Sequence, residues 1–280
     1  MPCAQTVVTE GERMDIKIDT INTAGFSMDY CRFGSGKGKL LIIPGVSVQS
    51  VMLFADAIAQ SYRLLTDDYT IYVLDRKKEV VSTYSVETMA RDTAEAVQTL
   101  GLEKVCVFGA SQGGMIAQRI AIEQPELVQK LILGSTAARM TPERLRPIRK
   151  WIDLAENGKA EELYLSFGKD IYPQAVYEQV REQLAEAAKT VSQEEMNRFA
   201  VIAEGLWGFD SLEDLKRILC PVLVIGSRDD RVLGGDASLE IAEQFKGRPD
   251  CELYMYDGYG HACYDTAPDY RERMLRFLKK

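Results

Sequence analysis

A chain of 280 residues, 46% apolar and 27% charged, has ample apolar material for a core and could form one large domain or two small ones. Its formal net charge of −8 provides no clustered Lys and Arg surface for phosphate backbones or anionic lipid, which argues against nucleic acid as a partner. No run approaches the roughly 18–20 apolar residues that a membrane helix needs. The N-terminal MPCAQTVVTEGERMD has neither the basic start nor the apolar stretch of a secretory signal, so a cytoplasmic protein without membrane insertion is expected.

Strands are predicted at 14–20 (MDIKIDT), 26–33 (FSMDYCRF), 39–43 (KLLII), 70–75 (TIYVLD), 104–108 (KVCVF) and 129–133 (QKLIL). The first two alternate apolar and polar residues, as in a half-exposed antiparallel pair. The later ones are continuously apolar, which fits strands buried on both faces of a parallel sheet. Helical stretches lie between them at 50–64, 87–100 and 112–124, and in the second Ala90, Ala94, Val97 and Leu100 share one face. Strand–helix–strand alternation implies βαβ units.

From about 137 to 215 the strand-like runs stop and charged amphipathic helix takes over. Val176, Val180, Leu184 and Ala187 or Ala188 mark one helical face, and Met196, Ala200, Ala203 and Trp207 mark another. Alternation resumes with strand 221–226 (PVLVIG), helix 236–246, strand 251–256 (CELYMY) and helix 268–279. The expected organisation is a core of 1–136 and 216–280, with 137–215 inserted as a helical cap.

The six cysteines, Cys3, Cys31, Cys106, Cys220, Cys251 and Cys263, include no C-x-x-C pair, and a disulfide framework is not expected. Cys106, in an apolar run, reads as a small packed hydrophobe. Cys263 and His261 are too few ligands for a closed zinc site, and no metal is expected. The segment Gly34–Lys39 fails the phosphate-loop spacing, because Cys31 stands where the first glycine belongs and Lys39 replaces the hydroxyl residue; it reads as a turn. The run Gly109–Gly114 fails the dinucleotide pattern, since Ser111 occupies the second glycine's place.

Gly109-Ala110-Ser111-Gln112-Gly113 reads as G-x-S-x-G between a strand and a helix, the context that a nucleophile elbow requires. A serine needs a base within hydrogen-bond reach, and His261, the single histidine, follows strand 251–256 on a glycine-flanked loop. The loop after PVLVIG offers two carboxylates, Asp229 and Asp230, to orient the imidazole. Oxyanion donors are expected at the backbone N–H of Gln112, directly after the serine, and of Val46, in the loop Pro44-Gly45-Val46-Ser47. Trp151, Phe167, Trp207, Phe209 and Tyr264 are candidates to line an acyl or aromatic pocket.

The motifs LIIPG, GASQGG, PVLVIGSRDDRVLG and YDGYGHACYD, in that order over nearly the whole length, resemble the α/β-hydrolase superfamily in its compact, capped, single-domain form. The resemblance implies a mostly parallel eight-stranded sheet flanked by helices and a Ser…Asp…His triad. It also selects Asp230, since the usual loop runs aspartate, one variable residue, then an aliphatic pair, as in Asp230-Arg231-Val232-Leu233. Many relatives have His-Gly where this chain has Pro44-Gly45, a departure that changes side chains at the mouth of the site. The implied activity is hydrolysis of an ester or related acyl bond of a small molecule by Ser111, His261 and Asp230 without a cofactor. C–C hydrolysis, lactone opening, acyl transfer and perhydrolysis use similar triads, and some members serve as small-molecule receptors. Halide displacement is disfavoured, because it resembles members with aspartate at the elbow.

Overall fold

The computed structural model describes residues 14–80 and 83–280. Cys3 and most of the N-terminal segment read above for a secretory signal lie outside the described residues.

Eight strands form one sheet: β1 (Lys17–Asn22), β2 (Ser27–Phe33), β3 (Gly38–Ile43), β4 (Tyr69–Lys77), β5 (Val105–Ala110), β6 (Val128–Gly134), β7 (Val222–Ser227) and β8 (Cys251–Tyr256). Their order is β1-β2-β4-β3-β5-β6-β7-β8. β1 pairs antiparallel with β2, β2 pairs antiparallel with β4, and the pairs from β4 to β8 are parallel. Burial explains the two textures of the sequence. β1 is mostly exposed, whereas β5 and β7 are buried at every position, so the latter carry apolar side chains toward both faces. Of the segment Gly34–Lys39, residues 34–37 link β2 to β3, which are not neighbours in the sheet, and the last two open β3.

Ten helices accompany the sheet among the described residues. They are α1 (Ala55–Ser61), α2 (Val86–Thr99), α3 (Gln112–Glu123), α4 (Pro142–Glu156), α5 (Ala160–Ile171), α6 (Gln174–Ala188), α7 (Gln193–Glu204), α8 (Ala237–Gln244), α9 (Cys263–Thr266) and α10 (Tyr270–Leu278). None is long and apolar enough to cross a membrane. Alternate strand residues feed two core layers. Leu41, Ile43, Val105, Val107, Leu131 and Leu133 pack with Ala90, Ala94 and Val97 of α2 and with Ile116 and Ile120 of α3. On the other face Leu40, Ile42, Phe108 and Ile132 pack with Ala55 and Ala59 of α1 and with Tyr270, Met274 and Phe277 of α10. Each fully buried Leu, Ile or Phe contributes about 1.5–3 kcal/mol of transfer free energy.

One expectation fails locally. The single helix read at 50–64 is broken into a 3-10 turn at Val51–Phe54, α1, and a second 3-10 turn at Arg63–Leu65. A straight helix would separate Val51 from Leu65 by roughly 21 Å along its axis. The bends instead let Val51, Tyr62 and Leu65 all reach the same core layer.

Between β6 and β7 lie α4 to α7, of which α4 and α7 start with side-chain caps. Thr141 caps α4 ahead of Pro142, and Ser192 with Glu195 forms a capping box on α7. The predicted faces are the packed ones: Val180 and Leu184 in α6, and Met196, Ala200 and Ala203 in α7, are buried.

Parallel strands point their carboxyl ends to one edge, and the chain crosses over between β3 and β5, where the strand order reverses. At that crossover α3 presses on the sheet. A Cβ on Gly113 would lie 2.0 Å from Ile43 O and 2.5 Å from Pro44 O, and one on Gly109 would lie 2.4 Å from Gly113 O. Two further loops at this edge are tied together by Asp229. Its Oδ1 accepts from Gly258 N (2.9 Å) and Ser227 Oγ (2.6 Å), and its Oδ2 accepts from Gly260 N (3.0 Å). Burial raises its pKa, but the hydrogen bonds from Ser227, Gly258 and Gly260 outweigh that and hold it below the ordinary carboxylate value.

Gly113→Ala is expected to destabilise the protein by about 2–3 kcal/mol, because the obstructing atoms are backbone. Urea unfolding measures it, and a loss below about 0.5 kcal/mol would mean that α3 can back away from β3. A depressed folded-state pKa means that Asp229 contributes stability above the unfolded value, near 3.9, and loses it as pH falls through the folded one. The Tm deficit of Asp229→Asn should therefore be full above about pH 5 and narrow toward pH 3. A deficit equal at both ends would exclude the carboxylate as its source.

Candidate active site

Ser111 stands between β5 and α3 at φ 53° and ψ −122°, a region that costs a non-glycine residue of order 1–3 kcal/mol. The surroundings hold it there. Ser111 N donates to Gly134 O (2.9 Å), Thr136 Oγ1 donates to Ser111 O (2.7 Å), and Gly114 N donates back to Ser111 O (2.9 Å). Gly109, Gly113 and Gly114 provide the clearance, the last of them against Thr136.

The loops after β7 and β8 bring Asp230 and His261 to this serine. His261 Nε2 lies 2.9 Å from Ser111 Oγ, and His261 Nδ1 lies 2.8 Å from Asp230 Oδ2. One tautomer satisfies both contacts: Nδ1–H donates to the carboxylate and Nε2 accepts from the hydroxyl. His261 is 2% exposed and Asp230 8%, while Ser111 is half-buried. The other oxygen, Asp230 Oδ1, accepts from Val232 N (2.8 Å) and Leu233 N (2.9 Å), which aims Oδ2 at the imidazole. Asp229, the rival carboxylate, is engaged by the glycine loop described above and does not meet His261.

The two expected backbone donors lie on segments adjacent to Ser111. A Cβ on Gly45 would lie 3.1 Å from Ser111 Cβ, so the Pro44–Ser47 loop runs beside the serine with Val46 partly buried. Gln112 opens α3, where an N–H has no intrahelical acceptor. Arg76, which sequence reasoning missed, braces both. Its Nη2 donates to Pro44 O (2.8 Å) and to Gln112 Oε1 (3.1 Å). Burial draws its pKa down to about 10, which leaves it charged at neutral pH. No motif announces it; only the adjacency of β4 and β3 places it there.

The residue following each member of the trio contacts the α4–α7 segment. Gln112 Nε2 donates to Ile202 O (2.8 Å), Arg231 Nη2 to Tyr172 O (2.9 Å), and Ala262 N to Ile171 O (2.9 Å). The aromatic candidates separate. Tyr264 is half-buried with its ring edge-on to His261, centroids 6.2 Å apart. Trp151 is 1% exposed, packs on Phe167 at 4.5 Å and donates from Nε1 to Asp170 (3.0 Å), a place among the helices α4 and α5. Trp207 is half-buried with the Arg149 guanidinium 5.6 Å above its ring, and Phe167 and Phe209 are buried in the core. Cys263 Sγ meets Ser135 Oγ at 3.2 Å, and burial pushes its thiol up to about 12. Cys106 is buried, its thiol likewise raised by burial, to about 11.

The family model described as serine aminopeptidase, S33 matches residues 61–265. The chain is 32% identical over 224 residues to the protein named "Putative carbamate hydrolase RutD" of Agrobacterium fabrum, covering 76% of this chain and 84% of the relative. It is 25% identical over an alignment of 298 residues to the 2-hydroxy-6-oxo-6-phenylhexa-2,4-dienoate hydrolase of Comamonas testosteroni, covering 98% and 99% of the two chains. Among solved structures, MGS-M2, an α/β hydrolase from a Medee basin deep-sea metagenome library, aligns with a TM-score of 0.82 at 18% identity, over 94% of this chain and 98% of that one. That last likeness is one of fold. With the family model spanning most of the sequence and the sheet in the order seen here, the chain belongs to the serine aminopeptidase S33 family of the α/β-hydrolase superfamily.

Proposed function

We propose that this hydrolase cleaves an ester or related acyl bond of a small molecule through Ser111, His261 and Asp230, with residues 137–215 as a cap on a core of 1–136 and 216–280. The reading is carried by one observation, the unbroken chain from Asp230 Oδ2 through His261 to Ser111 Oγ, with contacts of 2.8 and 2.9 Å. His261 Nε2 takes the hydroxyl proton as Ser111 Oγ attacks the carbonyl carbon, and Asp230 stabilises the imidazolium that forms. The tetrahedral oxyanion accepts from the N–H groups of Val46 and Gln112. His261 then gives its proton to the leaving group as the carbonyl re-forms. Water, deprotonated by the same imidazole, attacks the acyl-enzyme and releases the acid and free Ser111. Tyr264 is the aromatic candidate nearest the base and lines the substrate side in this reading.

A second reading, hydrolysis of a C–C bond next to a carbonyl, is favoured by the near full-length similarity to the dienoate hydrolase. The carbamate-hydrolase relative, at higher identity, points instead to a bond with a heteroatom leaving group. Parallel assays with aryl esters, aryl carbamates and a vinylogous 1,5-diketone separate these, since only the last demands a carbon leaving group.

A fluorophosphonate probe at neutral pH should label Ser111 rapidly, with the modified peptide identified by mass spectrometry. Ser111→Ala should abolish labelling and lower turnover of any accepted substrate by roughly 10³-fold or more, and His261→Ala should slow both to a similar degree. Undiminished turnover in Ser111→Ala would overturn the nucleophile assignment. Thermal stabilisation by small ligands without labelling or turnover of folded wild type would put a receptor in place of the enzyme.

A further inference from the structure

We propose that Arg144, on α4, is a positioning residue for Asp230, so that the helical insert sets the geometry of the acid; this deepens, and rests on, the triad reading above. Residues 228–236 connect β7 to α8 without regular structure, and the orientation of Asp230 depends on how that loop is held. Arg144 holds it. The arginine is 5% exposed, and its Nε donates to Leu233 O (2.8 Å). Leu233 N in turn donates to Asp230 Oδ1 (2.9 Å). One residue, Leu233, is therefore gripped through its carbonyl by the insert and through its amide by the carboxylate that faces His261.

Three further bonds of the guanidinium go to the same loop, to the helix that follows it and to the segment ahead of α4. Nη2 donates to Asp236 Oδ2 (3.0 Å), and Nη1 donates to Glu240 Oε2 (2.8 Å) and Arg139 O (3.0 Å). Glu240 also receives Arg139, so the buried cation shares its carboxylate with a second arginine and uses four of its five N–H donors. A cation this buried is costly unless paired, and such a site tolerates little displacement. Lysine could not replace it, because a single ammonium cannot reach Leu233 O, Asp236 and Glu240 along three directions. Gly234 (φ 85°) and Gly235 permit the loop to fold back onto the guanidinium; a Cβ on Gly235 would lie 2.2 Å from Arg228 O.

The test is a double-mutant cycle read by the second-order rate of fluorophosphonate labelling at Ser111 in wild type, Arg144→Met, Asp230→Asn and the double variant. Arg144→Met is expected to slow labelling roughly 10-fold in the wild-type background and to add little in Asp230→Asn, since residues acting through one contact couple. Its acid limb should also move to lower pH, because a carboxylate turned away from the imidazole no longer favours the imidazolium. Glu240→Gln, which retains Arg144 but loosens it, should shift the limb the same way by less and covers the case in which Arg144→Met fails to fold. Equal slowing in both backgrounds, or a uniform drop at every pH without movement of the limb, would overturn the positioning role. Asp230→Asn labelling as fast as wild type would overturn the triad reading itself, and the inference with it.

Discussion

The tight seat of α3 on β3 and β5 is the constraint from which the rest of the candidate site follows. Because Gly113 has no Cβ, the helix can start with its backbone against Ile43 O and Pro44 O. A strand that ends at Ala110 and a helix that begins at Gln112 leave one residue for the reversal, and Ser111 takes it in a strained conformation. That strain is offset by the bonds to Gly134 and Thr136 and by the burial of Ile116 and Ile120 beneath the helix. The serine hydroxyl is thereby held out at the carboxyl edge of the sheet, the edge to which every other parallel strand delivers its loop.

Three loops with little regular structure must then agree to within a few tenths of an ångström, and hydrogen bonds rather than apolar packing enforce the agreement. Asp229 fastens the loop after β7 to the glycine turns of the loop after β8. Two adjacent aspartates thus do different jobs: one fixes backbone and the other faces the imidazole. Arg76 fastens the loop after β3 to the side chain of Gln112. Both devices use a charged group, and a hydrogen bond to an ionised group is worth about twice a neutral one; of the two, Arg76 is buried and Asp229 is exposed.

The helices between β6 and β7 are part of this framework. Gln112, Arg231 and Ala262 each bond a carbonyl of that segment, and Arg144 reaches back from α4 to Leu233. The segment's own core, in which Phe167 meets both Trp151 and Phe199, is continuous with the layer under α2 and α3. The insert therefore holds the start of α3 and the loops after β7 and β8 through its own backbone carbonyls.

Periodicity located most of the elements, because parallel strands buried on both faces leave continuous apolar runs such as VCVF and VLVIG. Ser111 and Asp230 follow strands of that kind, His261 follows the edge strand β8, and parallel strands end on one edge, so the sequence could place all three at that edge. The break at 50–64 was not legible, since bending was driven by the joint burial of Val51, Tyr62 and Leu65 against β strands far along the chain. Nor were Arg76 and Arg144, whose partners in the loops around the site lie 32 to 92 positions away. Trp151 and Trp207 look alike as aromatic residues of amphipathic helices, and only packing separates the one stacked on Phe167 from the one beneath Arg149. The sequence by itself determined the sheet, its order of chemistry and the single imidazole, because those depend on residue type and near-neighbour spacing. The tertiary structure alone decided which arginines hold the loops and which aromatic residues pack away from the serine, because those depend on directions and distances that no local pattern records.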